Sequence, residues 1–219
     1  MTIKVFLADD HEIVRNGIRL LIEEEADMKV IGEAGNGREA VTRTRKLCPD
    51  VVVMDIEMPG LNGIEAIEKI HENCDSFKVI ILSMHSSSEY IRRALKLGAR
   101  GYILKESAGK ELVRSIRSVA SGRRYLSREI TEKLIDTYLD LDQYISAETI
   151  SPLEKLSSRE REILQLVVEG KTSKEIADII FISNKTVETY RSRMMQKLEI
   201  SGIPQLVKFA IRHGLTSLD

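Results

Sequence analysis

Four short apolar runs in the first half of the chain each end in a polar or charged side chain, and this recurrence limits the fold more than any other feature. The runs are too short for helices, and most are rich in β-branched residues. Stretches of helical periodicity separate them, which is typical of a parallel sheet with helices on both faces. In order, the junctions are Ile3–Ala8 before Asp9–Asp10, Val51–Met54 before Asp55, Val79–Leu82 before Ser83, and Gly101–Leu104 before Lys105. Because parallel strands end at one edge of a sheet, we expect these polar groups to meet in one shallow pocket.

This alternation predicts that residues 1–122 form an α/β domain with a doubly wound, five-stranded parallel sheet. Asp10 is predicted to cap the first helix, which would place a carboxylate at the positive end of the helix dipole. The strands are expected at residues 3–8, 29–34, 51–55, 78–83 and 101–105, and the helices at residues 11–25, 37–48, 62–74, 87–97 and 108–121.

The remainder of the chain is predicted to be helical. Residues 123–156 are expected to form a solvated linker with one helix, and residues 157–219 a small all-α domain. Two capping-box patterns, Ser157 to Glu160 and Thr172 to Glu175, indicate where its first two helices begin. A turn, a longer helix and a last helix follow at residues 182–184, 185–198 and 204–213. The short helix, the turn and the longer helix form a predicted helix-turn-helix.

Charge and hydropathy restrict the partners only mildly. The formal net charge is −1, and from Ser157 onwards 10 Lys and Arg stand against 8 Asp and Glu. This small excess weakly favours an anionic partner for the C-terminal domain. The chain enters a strand without a signal-like leader, and no apolar run approaches the roughly 18 residues of a membrane span. We therefore expect a cytoplasmic protein that does not bind membranes.

The predicted pocket has the chemistry of a metal-assisted phosphoryl acceptor. Three carboxylates, from Asp9, Asp10 and Asp55, repel one another unless a counter-ion is present. Mg²⁺ suits a few carboxylates together with waters and a phosphate. With the charge neutralised, Asp55 can act as a nucleophile towards phosphorus, while Lys105 and Ser83 supply a positive charge and a hydroxyl donor to the phosphoryl oxygens.

The segments around the four junctions resemble the receiver domain of two-component response regulators, which has a flavodoxin-like fold. The similar segments are Leu7–His11, Met54–Gly60, Leu82–Ser83 and Gly101–Lys105. The resemblance implies that Asp55 accepts a phosphoryl group from a sensor histidine kinase. It also implies that Asp10, Asp55 and the backbone carbonyl of Glu57 bind Mg²⁺, while Asp9 acts beside the ion or through water.

The resemblance gives roles to four positions around the pocket and shows one departure. Ser83 and Tyr102 correspond to the switch hydroxyl and the switch aromatic residue of receivers. Glu57 and His85 flank the pocket, at positions that influence attack by water in the family. Many receivers have proline after the conserved lysine, whereas Glu106 follows Lys105 here. This leaves the isomer of that peptide bond open.

The longer helix of the predicted helix-turn-helix separates into two faces. With Val187 turned inward, Tyr190, Met194 and Leu198 share its face at a step of roughly 100° per residue. The opposite face is polar and carries two cations, as expected of a helix that enters a major groove. This face comprises Lys185, Thr189, Ser192, Arg193 and Gln196.

The C-terminal domain resembles the LuxR-type helix-turn-helix, and together the two halves resemble a NarL/FixJ-class response regulator. The similarity lies in Leu156–Leu164, Glu175–Ala177 and Ser183–Met194. It implies a homodimer on double-stranded promoter DNA. Base-facing positions are then Glu188, Thr189 and Ser192, and expected contacts with the DNA backbone are Lys185, Thr186, Arg191, Arg193 and Lys197.

The favoured hypothesis is therefore a transcription regulator, not an enzyme, in which phosphorylation of Asp55 controls sequence-specific DNA binding. One alternative is a Mg²⁺-dependent aspartyl-phosphate phosphatase, which would use an Asp-x-Asp arrangement that Asp55 and Glu57 imitate poorly. A second alternative is a receiver-controlled module whose helical domain binds protein instead of DNA.

Overall fold

A computed structural model describes residues 2–71, 77–143, 152–213 and 215 of the chain. The chain divides into two compact units, residues 1–147 and residues 148–219. No helix within these described ranges is long and apolar enough to span a bilayer.

The first unit is a parallel sheet with helices on both faces, as predicted. Within the described residues its sheet has six strands instead of the five predicted. The strands are β1 Ile3–Ala8, β2 Met28–Ala34, β3 Val51–Asp55, β4 Lys78–Ser83, β5 Gly101–Leu104 and β6 Tyr125–Leu126. Their order across the sheet is β2-β1-β3-β4-β5-β6, and every neighbouring pair is parallel. The helices between β1 and β6 are α1 Glu12–Glu23, α2 Gly37–Leu47, α3 Gly63–His71, α4 Ser88–Lys96 and α5 Ala108–Ala120.

Side chains that alternate along the central strands build two separate cores, one on each face of the sheet. On β3, Val52 and Met54 belong to the core beneath α2, α3 and α4, whereas Val51 and Val53 belong to the core beneath α1 and α5. A strand covered on both faces needs apolar residues at every position. This explains why the strands appear in the sequence as continuous apolar runs.

The loop after β3 is held close to the strand end by Gly63. Its backbone N–H donates to the Ile56 carbonyl at 2.8 Å. A Cβ atom at position 63 would lie 1.9 Å from the Asp55 carbonyl oxygen, so only glycine allows this approach. The close packing fixes the backbone around Asp55.

The segment predicted as a solvated linker with one helix contains that helix, and it also contains a strand of the sheet. Strand β6 pairs with β5, and helix α6, Arg128–Gln143, packs against α4 and β5. Ile130 on α6 is fully buried in the core beneath α2, α3 and α4. A two-residue strand is too short to show an alternating pattern, so the sequence offered no signal for it. Its pairing covers the edge that β5 would otherwise expose.

In its described residues, the second unit is a four-helix array that contains the predicted helix-turn-helix. Its helices are α7 Ser158–Val168, α8 Ser173–Ile180, α9 Asn184–Lys197 and α10 Ile203–Arg212. Both predicted capping boxes are present, with Ser157 and Thr172 as N-caps, and Ser183 caps α9. Val187, Met194 and Leu206 are buried in its core.

The turn between α8 and α9 contains a residue in left-handed backbone conformation. Phe181 has φ 56° and ψ 47°. For a residue with a Cβ atom this conformation costs about 1–2 kcal/mol, and glycine or asparagine adopts it more readily. A bulky aromatic side chain is therefore an unfavourable choice for the turn.

The burial of Ile130 predicts that α6 stabilises the first unit. Ile130→Ala should lower its free energy of unfolding by about 2–4 kcal/mol, because the substitution leaves a cavity beside the sheet. Hydrogen exchange of β5 amides across a urea series measures the change. Ile135→Ala on the same helix, where Ile135 is 52% exposed, should change it by less than about 0.5 kcal/mol. Equal effects of the two substitutions would contradict the packing of α6.

Candidate functional site

The carboxyl edge of the sheet gathers a compact group of acidic side chains and one histidine. Ligand atoms of Asp9, Asp10, His11 and Asp55 all lie within 4.8 Å of one another. Asp9 and Asp55 are buried, whereas Asp10 and His11 are exposed. The sequence predicted the three aspartates, but it assigned no role to His11. Only the loop conformation after β1 shows that its imidazole joins them.

Lys105 is the counter-ion of the two buried carboxylates. Its Nζ atom lies 2.8 Å from Asp9 Oδ2 and 2.7 Å from Asp55 Oδ2. The sequence placed Lys105 at the end of β5, and the order of strands brings it to both aspartates. The triad thus consists of two buried carboxylates and one half-buried ammonium.

Burial dominates the ionisation of Asp55. It raises the pKa of Asp55 to about 6, against the opposing effect of the Lys105 ammonium. Burial alone would lower the pKa of Lys105, but attraction to Asp55 and Asp9 outweighs it and the pKa of Lys105 is raised. A cation bound at the pocket would relieve the same cost.

Asp10 does not cap α1, contrary to the prediction. The N-cap residue is His11, and no side chain makes a capping hydrogen bond there. Asp10 Oδ1 instead lies 2.8 Å from His11 Nδ1. Its carboxylate therefore stays at the mouth of the pocket. Buried and exposed carboxylate oxygens on one edge are a donor set that suits a hard divalent cation.

His85, in the loop after β4, contacts both predicted switch residues. Its backbone N–H donates to Ser83 Oγ at 3.0 Å, and its carbonyl accepts from the Tyr102 hydroxyl at 2.8 Å. Ser83 and Tyr102 are both fully buried. The loop backbone at His85 therefore connects the end of β4 with β5.

The His85 side chain also bonds to Glu57 across the mouth of the pocket. His85 Nε2 lies 2.8 Å from Glu57 Oε1, and the imidazole stacks on Tyr90 with 5.4 Å between ring centroids. The hydrogen bond to His85 holds the pKa of Glu57 below its usual value. The same bond raises the pKa of His85.

The peptide bond after Lys105 is trans. No cis peptide bond occurs in the described ranges, which include the Lys105–Glu106 bond. In this chain, where Glu106 stands at the position of the proline found in many receivers, the Lys105–Glu106 peptide bond is therefore trans.

The exposed face of α9 is the predicted one. Val187 and Met194 are buried, and Tyr190 and Leu198 pack partly against the same core. Of the predicted DNA contacts, six are exposed and two, Thr186 and Arg191, are half-buried. The exposed six are Lys185, Glu188, Thr189, Ser192, Arg193 and Lys197.

Two cations of α9 have partners within the second unit. Arg191 Nη1 donates to Ser173 Oγ at 2.6 Å, which ties α9 to the start of α8. Lys197 Nζ lies 2.6 Å from Glu160 Oε2, a buried carboxylate of the α7 capping box. No sequence pattern indicated either contact, because the partners come from other helices.

Comparison with known families covers both units. A model of the response regulator receiver domain matches residues 5–117. A model of bacterial regulatory proteins of the luxR family matches residues 154–210.

The chain is similar over nearly its whole length to curated regulators and to a solved structure. Response regulator UvrY of Escherichia coli is 41% identical over 99% of this chain and 97% of that protein. Oxygen regulatory protein NreC of Staphylococcus aureus is 37% identical over 97% of this chain and 98% of that protein. The RcsB response regulator of Salmonella typhimurium is 26% identical over 99% of both chains, with a TM-score of 0.66. A structure of an RcsB–DNA complex gives 27% identity over 95% of this chain and 98% of that one, with a TM-score of 0.59.

The raised pKa of Asp55 predicts that Asp55→Asn stabilises the metal-free protein at pH 7 but not at pH 4. Because the pKa is about 6 in the folded state and 3.8 ordinarily, stability is lost as pH rises between these values. We expect a gain of about 2 kcal/mol at pH 7, less than the full shift because Lys105 loses one carboxylate partner. Urea unfolding in EDTA measures it.

Glu106→Gln is the control for this prediction, since Glu106 is exposed beside Lys105. It should change the stability by less than about 0.5 kcal/mol at both pH values. A gain for Asp55→Asn that is as large at pH 4 as at pH 7 would show that ionisation of Asp55 is not its cause.

Proposed function

The chain belongs to the NarL/FixJ-class two-component response regulators, and from this premise we propose that phosphorylation of Asp55 controls how α9 binds promoter DNA. The observation that carries the proposal is the triad of Asp9, Asp55 and Lys105, in which Lys105 lies 2.8 Å and 2.7 Å from the two buried carboxylates. This arrangement supports the proposal, because Asp55 as the nucleophile and Lys105 as the cation for the phosphoryl oxygens would act at one point. The phosphoryl donor is a sensor histidine kinase.

The acidic group fits Mg²⁺, the cofactor of this proposal. Asp9, Asp10, Asp55 and the backbone carbonyl of Glu57 would hold the ion. The ion would neutralise the charge that builds up on the phosphoryl oxygens. The donor chemistry supports this fit, because three of the four clustered side chains are carboxylates.

Three residues of the chain have separate roles in the transfer of the phosphoryl group. A carboxylate oxygen of Asp55 attacks phosphorus, the bond from phosphorus to the kinase histidine breaks, and an acyl phosphate forms on Asp55. Lys105 then bonds to a phosphoryl oxygen, and the Ser83 hydroxyl donates to another. Positioning and charge stabilisation supply most of the catalysis in such transfers.

The contacts at His85 offer a route from Asp55 to the surface. When the Ser83 hydroxyl turns towards the phosphoryl group, it loses the hydrogen bond of 3.0 Å that it accepts from the His85 backbone N–H. The His85 carbonyl holds the Tyr102 hydroxyl, so the loop and Tyr102 respond together. The affected elements are α4, β5 and α5, whose changed surface would favour a homodimer that binds DNA.

Turnover of exogenous phosphomonoesters is not favoured by the site. A phosphatase of this kind needs a second acid two residues after the nucleophile. Glu57 has that position, but its carboxylate is bonded to His85 at 2.8 Å. The protein therefore acts as a regulator and not as an enzyme on outside substrates.

In the second unit, α9 is the recognition helix and lies in the major groove. Glu188, Thr189 and Ser192 face base edges, and Lys185 and Arg193 contact phosphates. The similarity to RcsB, whose complex with DNA is known, supports this assignment. Thr186 and Arg191 contribute near the DNA backbone. The ion pair with Glu160 supports a role for Lys197 mainly in the fold. Since the partner is genomic DNA, the protein works in the cytoplasm.

Phosphorylation itself is directly testable. Acetyl phosphate with Mg²⁺ should add one phosphoryl group to the wild-type chain, detected by intact mass spectrometry. Asp55→Asn should remain unmodified, because the acceptor oxygen is gone, and should lose the phosphate-stimulated gain in DNA binding. Asp50→Asn, an exposed aspartate just before β3, is the matched control and should be modified normally. An unmodified wild type, or equal labelling of Asp55→Asn, would overturn the proposal.

The partners of the α9 lysines predict two different phenotypes. Lys185→Ala should weaken DNA binding and reduce the slope of log affinity against log salt by about 1, because a phosphate contact is lost. Lys197→Ala should instead lower the stability of the second unit by about 1–2 kcal/mol, because Glu160 loses its partner. Fluorescence anisotropy at several salt concentrations and thermal unfolding measure the two effects. The reverse pattern would show that Lys197 is the phosphate contact.

A further inference from the structure

We infer that Phe181 is a DNA-contacting residue that extends the recognition surface of α9 through an apolar contact; this rests on the proposed binding of DNA by the helix-turn-helix. Phe181 follows α8 and lies two residues before Ser183, the N-cap of α9. Phe181 is 92% exposed, more than any other large apolar residue whose burial the structure describes. An aromatic ring that stays exposed buries no apolar surface and so contributes nothing to the free energy of folding.

The backbone at Phe181 makes this choice of residue doubly unfavourable. Its φ of 56° lies in the left-handed region, where glycine and asparagine are preferred. Residues held in such conformations cluster at sites that bind ligands. The turn would form more readily with asparagine, so the aromatic ring needs an explanation outside folding.

The turn is built without the ring. The Ile182 N–H donates to the Ala177 carbonyl at 3.0 Å, and the Arg159 guanidinium donates to the Ile180 carbonyl at 2.6 Å. Ile180 is buried, and Ile182 packs partly against the same core. Neighbouring residues therefore supply both the hydrogen bonds and the apolar packing of the turn.

The surroundings of the turn favour DNA as the partner of the ring. A surface concavity begins two residues after Phe181, and exposed Lys185 and Arg193 give it cationic side chains. In helix-turn-helix proteins the beginning of the recognition helix meets the DNA. DNA offers two kinds of apolar group near this point, the C5-methyl group of thymine in the major groove and the carbons of deoxyribose. The concavity is lined by Ser183, Lys185, Thr186, Thr189, Tyr190 and Arg193.

The test compares Phe181→Asn with the wild-type full chain on a duplex selected by the wild type from a random pool. Asparagine suits the left-handed backbone, so the variant should unfold at a higher temperature than the wild type. Its affinity for the selected duplex should nevertheless fall about tenfold, as expected when burial of one ring face is lost. Phe181→Tyr keeps the ring and should retain the affinity within about twofold. Fluorescence anisotropy and thermal unfolding supply the readouts.

Glu199→Asn is the matched control for the backbone effect. Glu199 is also exposed and has φ 57° in the same unit. The substitution should raise the unfolding temperature in the same way without weakening DNA binding. A loss of affinity in this control as large as in Phe181→Asn would overturn the inference, because relief of the left-handed backbone would then suffice to weaken binding.

A second arm identifies the apolar group of the DNA. Replacing thymine by uracil in the selected duplex removes the methyl groups. If the methyl group is the partner, wild type and Phe181→Asn will bind the uracil duplex equally. If deoxyribose is the partner, the tenfold difference will persist.

The inference and the proposed function fail in different ways. If Phe181→Asn binds the selected duplex as tightly as the wild type does, the inferred role of Phe181 is overturned, but the proposal that the protein binds DNA stands. A wild type that selects no duplex, with or without acetyl phosphate, overturns both.

Discussion

The ion pairs from Lys105 to Asp9 and Asp55 are the interactions on which the functional edge of the first unit depends. Two buried carboxylates side by side would be costly without the ammonium between them. The parallel ladders bring the three groups together, since Ala8 pairs with Met54, Asp55 with Leu82 and Ser83 with Leu104. A phosphoryl group on Asp55 would add negative charge at this point, and Lys105 would be drawn to it. The charge balance that stabilises the resting pocket thus also makes it responsive.

The His85 loop is the element that would translate this response. Its N–H, carbonyl and imidazole contact Ser83, Tyr102 and Glu57, respectively. A rotation of Ser83 therefore changes the hydrogen bonds of a loop that leads directly into α4. Tyr102 is fully buried on β5, so its movement must be accommodated by packing and not by solvent. Tight packing makes such a change discrete rather than gradual.

In the second unit, some charged side chains form ion pairs that stabilise the fold, whereas others are exposed on the surface. Arg159 and Lys197 pair with the buried carboxylates of Glu162 and Glu160. The Lys197–Glu160 pair connects α9 with the capping box of α7, and Arg159 also donates a hydrogen bond to the Ile180 carbonyl at the end of α8. These contacts hold α9 in place. Lys185 and Arg193 are exposed on α9, where we propose that they contact phosphates. Arg159, Ile182 and Ser183 supply the contacts that hold the turn. The side chain of Phe181 is therefore not needed for the turn and can serve DNA binding, as inferred above.

Sequence patterns within single segments were sufficient to predict most of the structure of this protein. Apolar runs and their polar ends predicted the strands and the pocket, and Ser157 and Thr172 marked the starts of their helices. The periodicity of α9 separated its buried face from its exposed face. Only the tertiary structure decided that β6 and α6 belong to the first unit, that His11 joins the aspartates, and that Lys197 pairs with Glu160. These features depend on contacts between residues distant in sequence or on the path of a loop, and no periodicity or capping pattern encodes such contacts.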